Sequence, residues 1–499
     1  MSTSPSNSRK AHTKAQAHGK SPSEAIQFEP LPLNTAAESR LVRKCDLHVI
    51  PALFVVYLLT FLDRINIGNA KIQDLQKELS MSGTQYNIAL LVFFPPYILF
   101  EIPSNIILKK IRPSTWLAGL MFLWGIATMC QGLVKSYGGL IACRVLMGAL
   151  EAGSLPGCAY LISMYYKRHE LQGRYAFFFS SALIAGAFGG LLAFALVKMN
   201  GLGGYSGWRW IFIIEGLATI AYAPIAKFLI ADWPESCKFL NSEEKALLAA
   251  RLSRDGIGEA RMDRLDKPAV YLILKDWKIW IGGLMYFTIG VSGYSTVFFI
   301  PYILNEFGYT ATESQLHTIP IYVVSTVAML LAAWASDRAR HRYGFMMGGI
   351  IISAVAYVIL LCQGPAHGGL PRNVKYMAIF FALIGQYISQ PVPIVWLANN
   401  VSGHYKRAVS TAIQVGIGNA AGIAGSNIYL QSEAPLFKTG YGTALAMLLT
   451  CAVLSTGFYL GLMWENRKRD RGERDWRLEL PEEVRKNLGD AHPSFRYVG

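Results

Sequence analysis

Two segments place formal charges inside long apolar runs. The first reads Phe61-Leu-Asp63-Arg64-Ile-Asn66 and the second Arg144-Val-Leu-Met-Gly148-Ala-Leu-Glu151. A charge at the centre of a membrane-crossing helix costs roughly 2.5–3.5 kcal/mol, so it persists where a partner or a water-filled cavity receives it. Arg144, Gly148 and Glu151 stand at i, i+4 and i+7 and share one helical face, with the two charges about 10 Å apart along it. Gly148 between them removes bulk and admits a close neighbour or a ligand. Asp63 and Arg144 fall at similar depth, roughly 8–9 Å below one membrane edge, so an Asp63–Arg144 ion pair is feasible if the two helices face each other. Glu151 lies deeper. In an apolar setting it can take up a proton, and Asp63 is the other candidate carrier. Arg64 and Arg144 are suited to hold a substrate carboxylate through paired N–H groups. Charges that only lock helices together are the weaker alternative, because buried pairs seldom stabilise in themselves.

Further polar residues lie at membrane depth. Asn66, Gln386, Gln414 and Asn419 are candidate substrate contacts or helix ties. Glu101, expected near the basic inner mouth, and the loop pair Asp337 and Arg338 are candidate gating charges. Glu215 follows the aromatic pair of Trp208-Arg-Trp210. Glycines at 186, 189 and 190 and at 416, 418, 422 and 425 predict close helix packing rather than ligand contact.

The elements that position these residues follow from composition. The chain has 499 residues, of which 53 % are apolar and only 16 % charged, and a net charge of +15. So few charges argue against an ordinary soluble enzyme. Twelve apolar segments, each near the ~20 residues that cross a bilayer, fall at 47–68, 86–108, 115–134, 138–163, 174–197, 210–230, 279–301, 316–336, 345–363, 375–398, 408–430 and 441–464. The expected organisation is a disordered polar arm (1–46), a first six-helix bundle (47–230), a central loop (231–278) with a capping box at Asn241–Glu244, a second bundle (279–464) and a charged tail (465–499). With both termini in the cytoplasm, 36 Lys and Arg lie inside against 8 outside. That bias accounts for the basic balance without nucleic acid. No apolar run near Met1 suggests a signal peptide. The sequon Asn400-Val-Ser402 falls on an inner loop and is expected to stay unmodified. Seven cysteines form no CxxC pair, so no metal site or disulfide framework is expected. No phosphate-binding loop suggests ATP drive, and no cofactor is expected.

Segments 47–464 resemble the major facilitator superfamily. Arg144-x3-Gly148 is similar to its Arg-Gly motif, and Asp337-Arg338-x-Arg340-x-Arg342 to its Asp-Arg loop motif. More narrowly, Phe-Leu-Asp63-Arg64-x-Asn66, Glu101-Ile-Pro-Ser-Asn, Glu151-Ala-Gly, Trp208-Arg-Trp…Glu215-Gly and Gly-Asn419…Gly-Ser-Asn-Ile-Tyr resemble the anion:cation symporters, nearest the fungal allantoate permease group. The resemblance implies an all-α integral membrane protein of twelve helices in two pseudo-symmetric bundles. It implies a monomer at the plasma membrane that moves a small organic anion, a vitamin- or allantoate-like carboxylate, together with protons. It assigns Asp63 and Glu151 to proton coupling, and Arg64 and Arg144 to anion binding and gating. The loop 103–112 departs from the family in lacking its Asp. The antiporter-type Gly-Pro is also absent, since Ala187 follows Gly186, which favours uptake. The rivals are an exporter of an acidic secondary metabolite on the same fold, a non-transporting nutrient sensor, and a membrane-embedded enzyme. The scattered histidines supply no catalytic constellation for the last.

Overall fold

A chain segment crossing hydrocarbon must close its backbone hydrogen bonds internally, and among the described residues the spans do so as helices, some of them broken by a short turn. The computed structural model describes residues 35–167, 170–255, 271, 273–339, 341–364, 369–402, 404–486 and 488–499. The first half contains α1 (Thr35–Lys71), the short α2 (Leu75–Glu78), α3 (Gly83–Leu91), α4 (Phe94–Lys110), α5 (Pro113–Leu133), α6 (Tyr137–Glu151), α7 (Ser154–Ser163), α8 (Leu171–Val197) and α9 (Gly207–Leu229). A surface helix, α10 (Ser242–Asp255), leads towards the second half. That half contains α11 (Trp277–Glu306), α12 (Ala311–Ala339), α13 (Arg342–Leu361), α14 (Arg372–Ser389), α15 (Val392–Asn399), α16 (His404–Asn419), α17 (Ala421–Gly425) and α18 (Lys438–Asp470). Among the described residues, eleven helical stretches are long and apolar enough to cross a membrane.

The expected span 408–430 differs from those eleven. It is built from α16 and α17, broken at Ala420, and α16 carries Lys406, Arg407, Gln414 and Asn419 along its length. The fourth span of each half is also interrupted. In the first half the break falls at Ala152–Gly153, directly after Glu151, and in the second at Gln390–Pro391. Interruptions at matching places in two repeated halves point to a binding region between them.

α1 begins at Thr35, inside the segment expected as a polar arm, and residues 1–34 lie outside the described residues. Its first turns are amphipathic. Leu41 and Cys45 are buried, while Lys44 pairs with Glu244 at 2.7 Å and Asp46 with Arg174 at 2.7 Å. The capping box of α10 forms as the sequence predicts: Glu244 N donates to Asn241 Oδ1 (2.8 Å) and Asn241 N donates to Glu244 Oε2 (2.9 Å).

Glycines set the seam between the halves. A Cβ at Gly186 would meet the Tyr322 ring at 2.5 Å, and one at Gly190 the Gln315 carbonyl at 2.6 Å, so α8 and α12 touch there almost backbone to backbone. Gly68 on α1 faces the Phe298 carbonyl of α11 in the same way, at 2.7 Å, and Gly422 lies against the Phe94 ring. Gly416, expected to pack closely, faces open space. At the end of the seam reached by the C-terminus of α1, Lys71 Nζ sits among three rings: Tyr86 of the first half (4.5 Å), and Phe299 (5.1 Å) and Tyr302 (3.6 Å) of the second. Beside it opens a cavity of about 330 Å3 lined by Lys71, Asp74, Lys77, Gly83 and Gln431.

The segment after α18 is folded rather than splayed. Asp490 is buried at the opposite end of the second half, where it accepts from Lys278 Nζ (2.5 Å) and pairs with Lys406 Nζ (2.7 Å). Asp276, which caps α11, completes an alternating square with the same two lysines at 3.2 and 2.7 Å. Burial acts to raise the Asp490 carboxyl. The two ammonium groups outweigh it and hold the carboxyl well below the usual carboxylate range. Val498 brackets Asn400, donating to Oδ1 at 2.7 Å and accepting from Nδ2 at 3.0 Å, so the sequon asparagine is buried.

Candidate substrate and proton site

α6 ends at Glu151 because the chain turns at Ala152–Gly153, where a side chain on Gly153 would strike the Ser104 hydroxyl. That turn presents the Glu151 carboxylate to α1. Arg64 Nε donates to Glu151 Oε1 at 3.0 Å, and Arg64 Nη2 donates to the same oxygen. Both side chains are buried. The Arg64 guanidinium also lies against the rings of Phe93 (4.9 Å) and Tyr97 (5.1 Å), so its apolar faces are covered while its edge is hydrogen-bonded. The Asp63–Arg144 pairing that depth alone allowed does not form. Asp63 points towards α5 and α9, where its Oδ2 accepts from Trp124 Nε1 (3.2 Å) and Thr219 Oγ1 (3.1 Å). Arg144 is buried, with Nε and Nη2 lacking a hydrogen-bond partner. Adjacent residues on a helix point about 100° apart, so Asp63 and Arg64 serve different neighbours.

Arg64 also reaches the second half. Its Nη1 donates to the Tyr294 hydroxyl of α11 at 3.2 Å. Tyr294 in turn donates to Asn419 Oδ1 at 3.1 Å, and Asn419 Nδ2 lies 3.5 Å from Glu101 Oε2 on α4. Glu101 is therefore inside the seam with Asn419 rather than among the basic residues at its mouth. Asn419 and Glu101 join Arg64 and Glu151 in one connected set.

The other expected residues sit elsewhere. Gln386 ties α14 to α11 within the second half: its Nε2 donates to the Ile289 carbonyl (2.6 Å) and its Oε1 accepts from Ser292 (2.7 Å). Gln414 donates to the carbonyls of Gly282 (3.1 Å) and Pro393 (2.9 Å). Both act as helix ties, and Gln414 has spent both of its donors. Asn66 is buried near Gly189, and neither of its amide atoms has a partner. Asp337 pairs with Arg342 at 2.9 Å at the start of α13, and Arg338 beside it is exposed. Glu215 is buried one turn before Thr219, with neither carboxylate oxygen bonded. Arg209 and Trp208 both donate to Glu78 (2.8 and 2.6 Å), so the Trp-Arg motif braces α9 against α2.

Buried polar atoms without a partner occur across the fold, and several lie on the charged and amide residues of the first half. They include Arg144 Nε and Nη2, Glu151 Oε2, Asp63 Oδ1, Glu101 Oε1 and both ends of the Asn66 amide. Leaving such groups buried costs about 1–3 kcal/mol each, so the arrangement favours a polar occupant. By type, the guanidinium groups of Arg64 and Arg144 suit an anion and the carboxyl groups of Asp63, Glu101 and Glu151 suit protons. Tyr294, Trp124 and Thr219 were not singled out from the sequence. For Tyr294 a signal existed, because it follows Gly290-Val-Ser-Gly293 and stands alone among small residues at membrane depth.

A sequence profile described as Major Facilitator Superfamily matches residues 53–426. The chain is 36 % identical over 451 residues to "MFS transporter prlL" of Fungal sp. (strain NRRL 50135), covering 88 % of this chain and 90 % of that one. It is 28 % identical over 462 residues to the "High-affinity nicotinic acid transporter" of Saccharomyces cerevisiae, covering 92 % and 85 %. Among solved structures, the crystal structure of a D-xylose-proton symporter superposes with a TM-score of 0.64 at 15 % identity, covering 84 % of this chain and 98 % of that one. The helical halves, the interrupted spans and the profile match agree, and this chain belongs to the Major Facilitator Superfamily, a multi-pass membrane transporter with that fold.

Proposed function

We propose that this transporter is a proton-coupled symporter of a small organic anion at the plasma membrane. The observation that carries the reading is the buried Arg64–Glu151 pair facing the second half, with the unbonded Nε and Nη2 of Arg144 in the same half. Protonation of Glu151 removes the charge that occupies Arg64. A substrate carboxylate then takes its place and completes its contacts with Arg144, and Asp63 accepts a second proton. Release of anion and protons on the other side restores the Arg64–Glu151 pair. The likeness to a nicotinic acid transporter supports a monocarboxylate of vitamin size. In this reading both termini and the Asp490 end face the cytoplasm, and the Lys71 end faces outward.

Stoichiometry sets the force. One proton with a monoanion moves no net charge, so two pH units supply about 2.7 kcal/mol, roughly 100-fold accumulation. A second proton adds that again, plus about 2.3 kcal/mol per 100 mV. The test is pH-gradient-driven uptake in proteoliposomes with labelled nicotinate, pantothenate, allantoate, biotin and tartrate. Uphill accumulation of one compound, lost when the gradient is collapsed, is the expected result. Counterflow of a larger acidic metabolite without uptake of any of these would replace symport by export.

A further inference from the structure

We propose that the Tyr294 hydroxyl is the joint through which the second half senses whether Arg64 is held by Glu151; the inference rests on the symport reading above. A tyrosine hydroxyl has one proton to give and two lone pairs to accept with. Here the proton goes to Asn419 and a lone pair takes Arg64 Nη1, at 3.1 and 3.2 Å. With Asn419 lying 3.5 Å from Glu101, the path runs from α1 to α11, on to α16 and back to α4, crossing the seam twice. The ring is fixed from both halves. It stacks on Phe298 of its own helix at 5.8 Å and meets Phe94 of α4 edge-on at 5.3 Å.

The titratable and charged groups facing Arg64 are Tyr57 on its own helix, Tyr97 and Glu101 on α4, Glu151 on α6, and Tyr286 and Tyr294 on α11. Among these, hydrogen bonds link Arg64 to two: Glu151, on its own half, and Tyr294, on the other. With Glu151 ionised, Arg64 is anchored to the first half. With Glu151 neutral, the remaining anchor is Tyr294, and the Arg64 side chain ties α1 to α11. Tyr294 is a positioning residue: it acts on the anion through Arg64 and on the second half through Asn419.

The test needs no substrate. Spin labels go on cysteines placed at Lys110 and Arg467, both exposed at the same end on opposite halves. The half-exposed native cysteines Cys130, Cys143 and Cys362 are replaced by serine. Distances are compared between about pH 8 and about pH 5 in purified full-length protein. The wild type should redistribute between two distances. Tyr294→Phe keeps the ring contacts and loses the hydroxyl. It should lose about tenfold of the pH-driven change in population, the worth of one hydrogen bond to a charged group. Asn419→Ala should reproduce the loss, and the double variant should be no worse than either single one. A wild-type response in Tyr294→Phe, or simple addition of the two effects, overturns the inference while leaving symport intact. A wild type with no pH response sinks proton coupling itself. If Tyr294→Phe does not fold, Asn419→Ala decides alone by the same readout.

Discussion

Replacing Asp63 by Asn or Glu151 by Gln leaves shape and hydrogen bonding nearly intact and removes a protonation site. Asn at 63 still accepts from Trp124 and Thr219, so the first half should fold. In liposomes with a two-unit pH gradient, accumulation should fall from roughly 100-fold to about unity in either variant, while exchange at equal pH stays within about tenfold of wild type. Wild-type accumulation ratios would reject the assignment. Arg144→Lys should raise KM by about tenfold or more with kcat less changed, because an ammonium group cannot reproduce two parallel N–H donors. At this scale the sequence named the charged residues through their cost in lipid. Their pairing was less legible. Depth along a helix follows from counting, whereas rotation about it depends on every neighbour, so the feasible Asp63–Arg144 contact gave way to Arg64–Glu151. Gln386 and Gln414 illustrate the same limit, since a polar side chain at membrane depth reads identically whether it faces a ligand or the next helix.

Gly148 marks where one element must approach another. A side chain there would strike the Phe93 carbonyl, at the junction of α3 and α4. Gly148→Ala should cost about 1–3 kcal/mol, read as a lower Tm in detergent, and should displace the Arg144–Glu151 face. The segment after α18 is held by charge. Asp490→Asn leaves Lys278 and Lys406 sharing Asp276 alone, a loss of about 3 kcal/mol where a buried pair is broken from one side. Limited proteolysis should then cleave residues 475–499 faster. The lowered Asp490 carboxyl also fixes a sign with pH. Its stabilisation is present above the unfolded value near 3.9 and is lost as pH falls through the lower folded value, so docking should survive mild acid. Helix existence was readable from apolar runs of bilayer length. The break at Ala420 and the early start of α1 were not, because both depend on tertiary contacts: the Gly422–Phe94 approach and the ion pairs of Lys44 and Asp46.

For the molecule as a whole, closure at the Lys71 end includes one ammonium group shared by rings of both halves, the Gly68–Phe298 approach and the Tyr86–Phe299 ring contact. Gly68→Ala and Lys71→Met should each loosen that closure. A desolvated cation–π contact is worth about 2 kcal/mol, enough to change a two-state ratio by more than tenfold. Spin labels at the exposed Lys77 and Ser432, which lie on opposite halves, should move apart in both variants. Unchanged distances would show that closure is carried elsewhere. The two halves were visible in the sequence as repeated sets of apolar runs. Their seam was not, since glycine spacing does not say which helix a glycine will meet. The folded segment 475–499 has a further mechanical meaning. Its named partners, Lys278, Asn400, Lys406 and Asn466, all belong to the second half. Tension applied to the last residues is therefore delivered through Asp490 to α11 and α16, the helices bearing Tyr294 and Asn419, and a pull at that end is a load on the binding region itself.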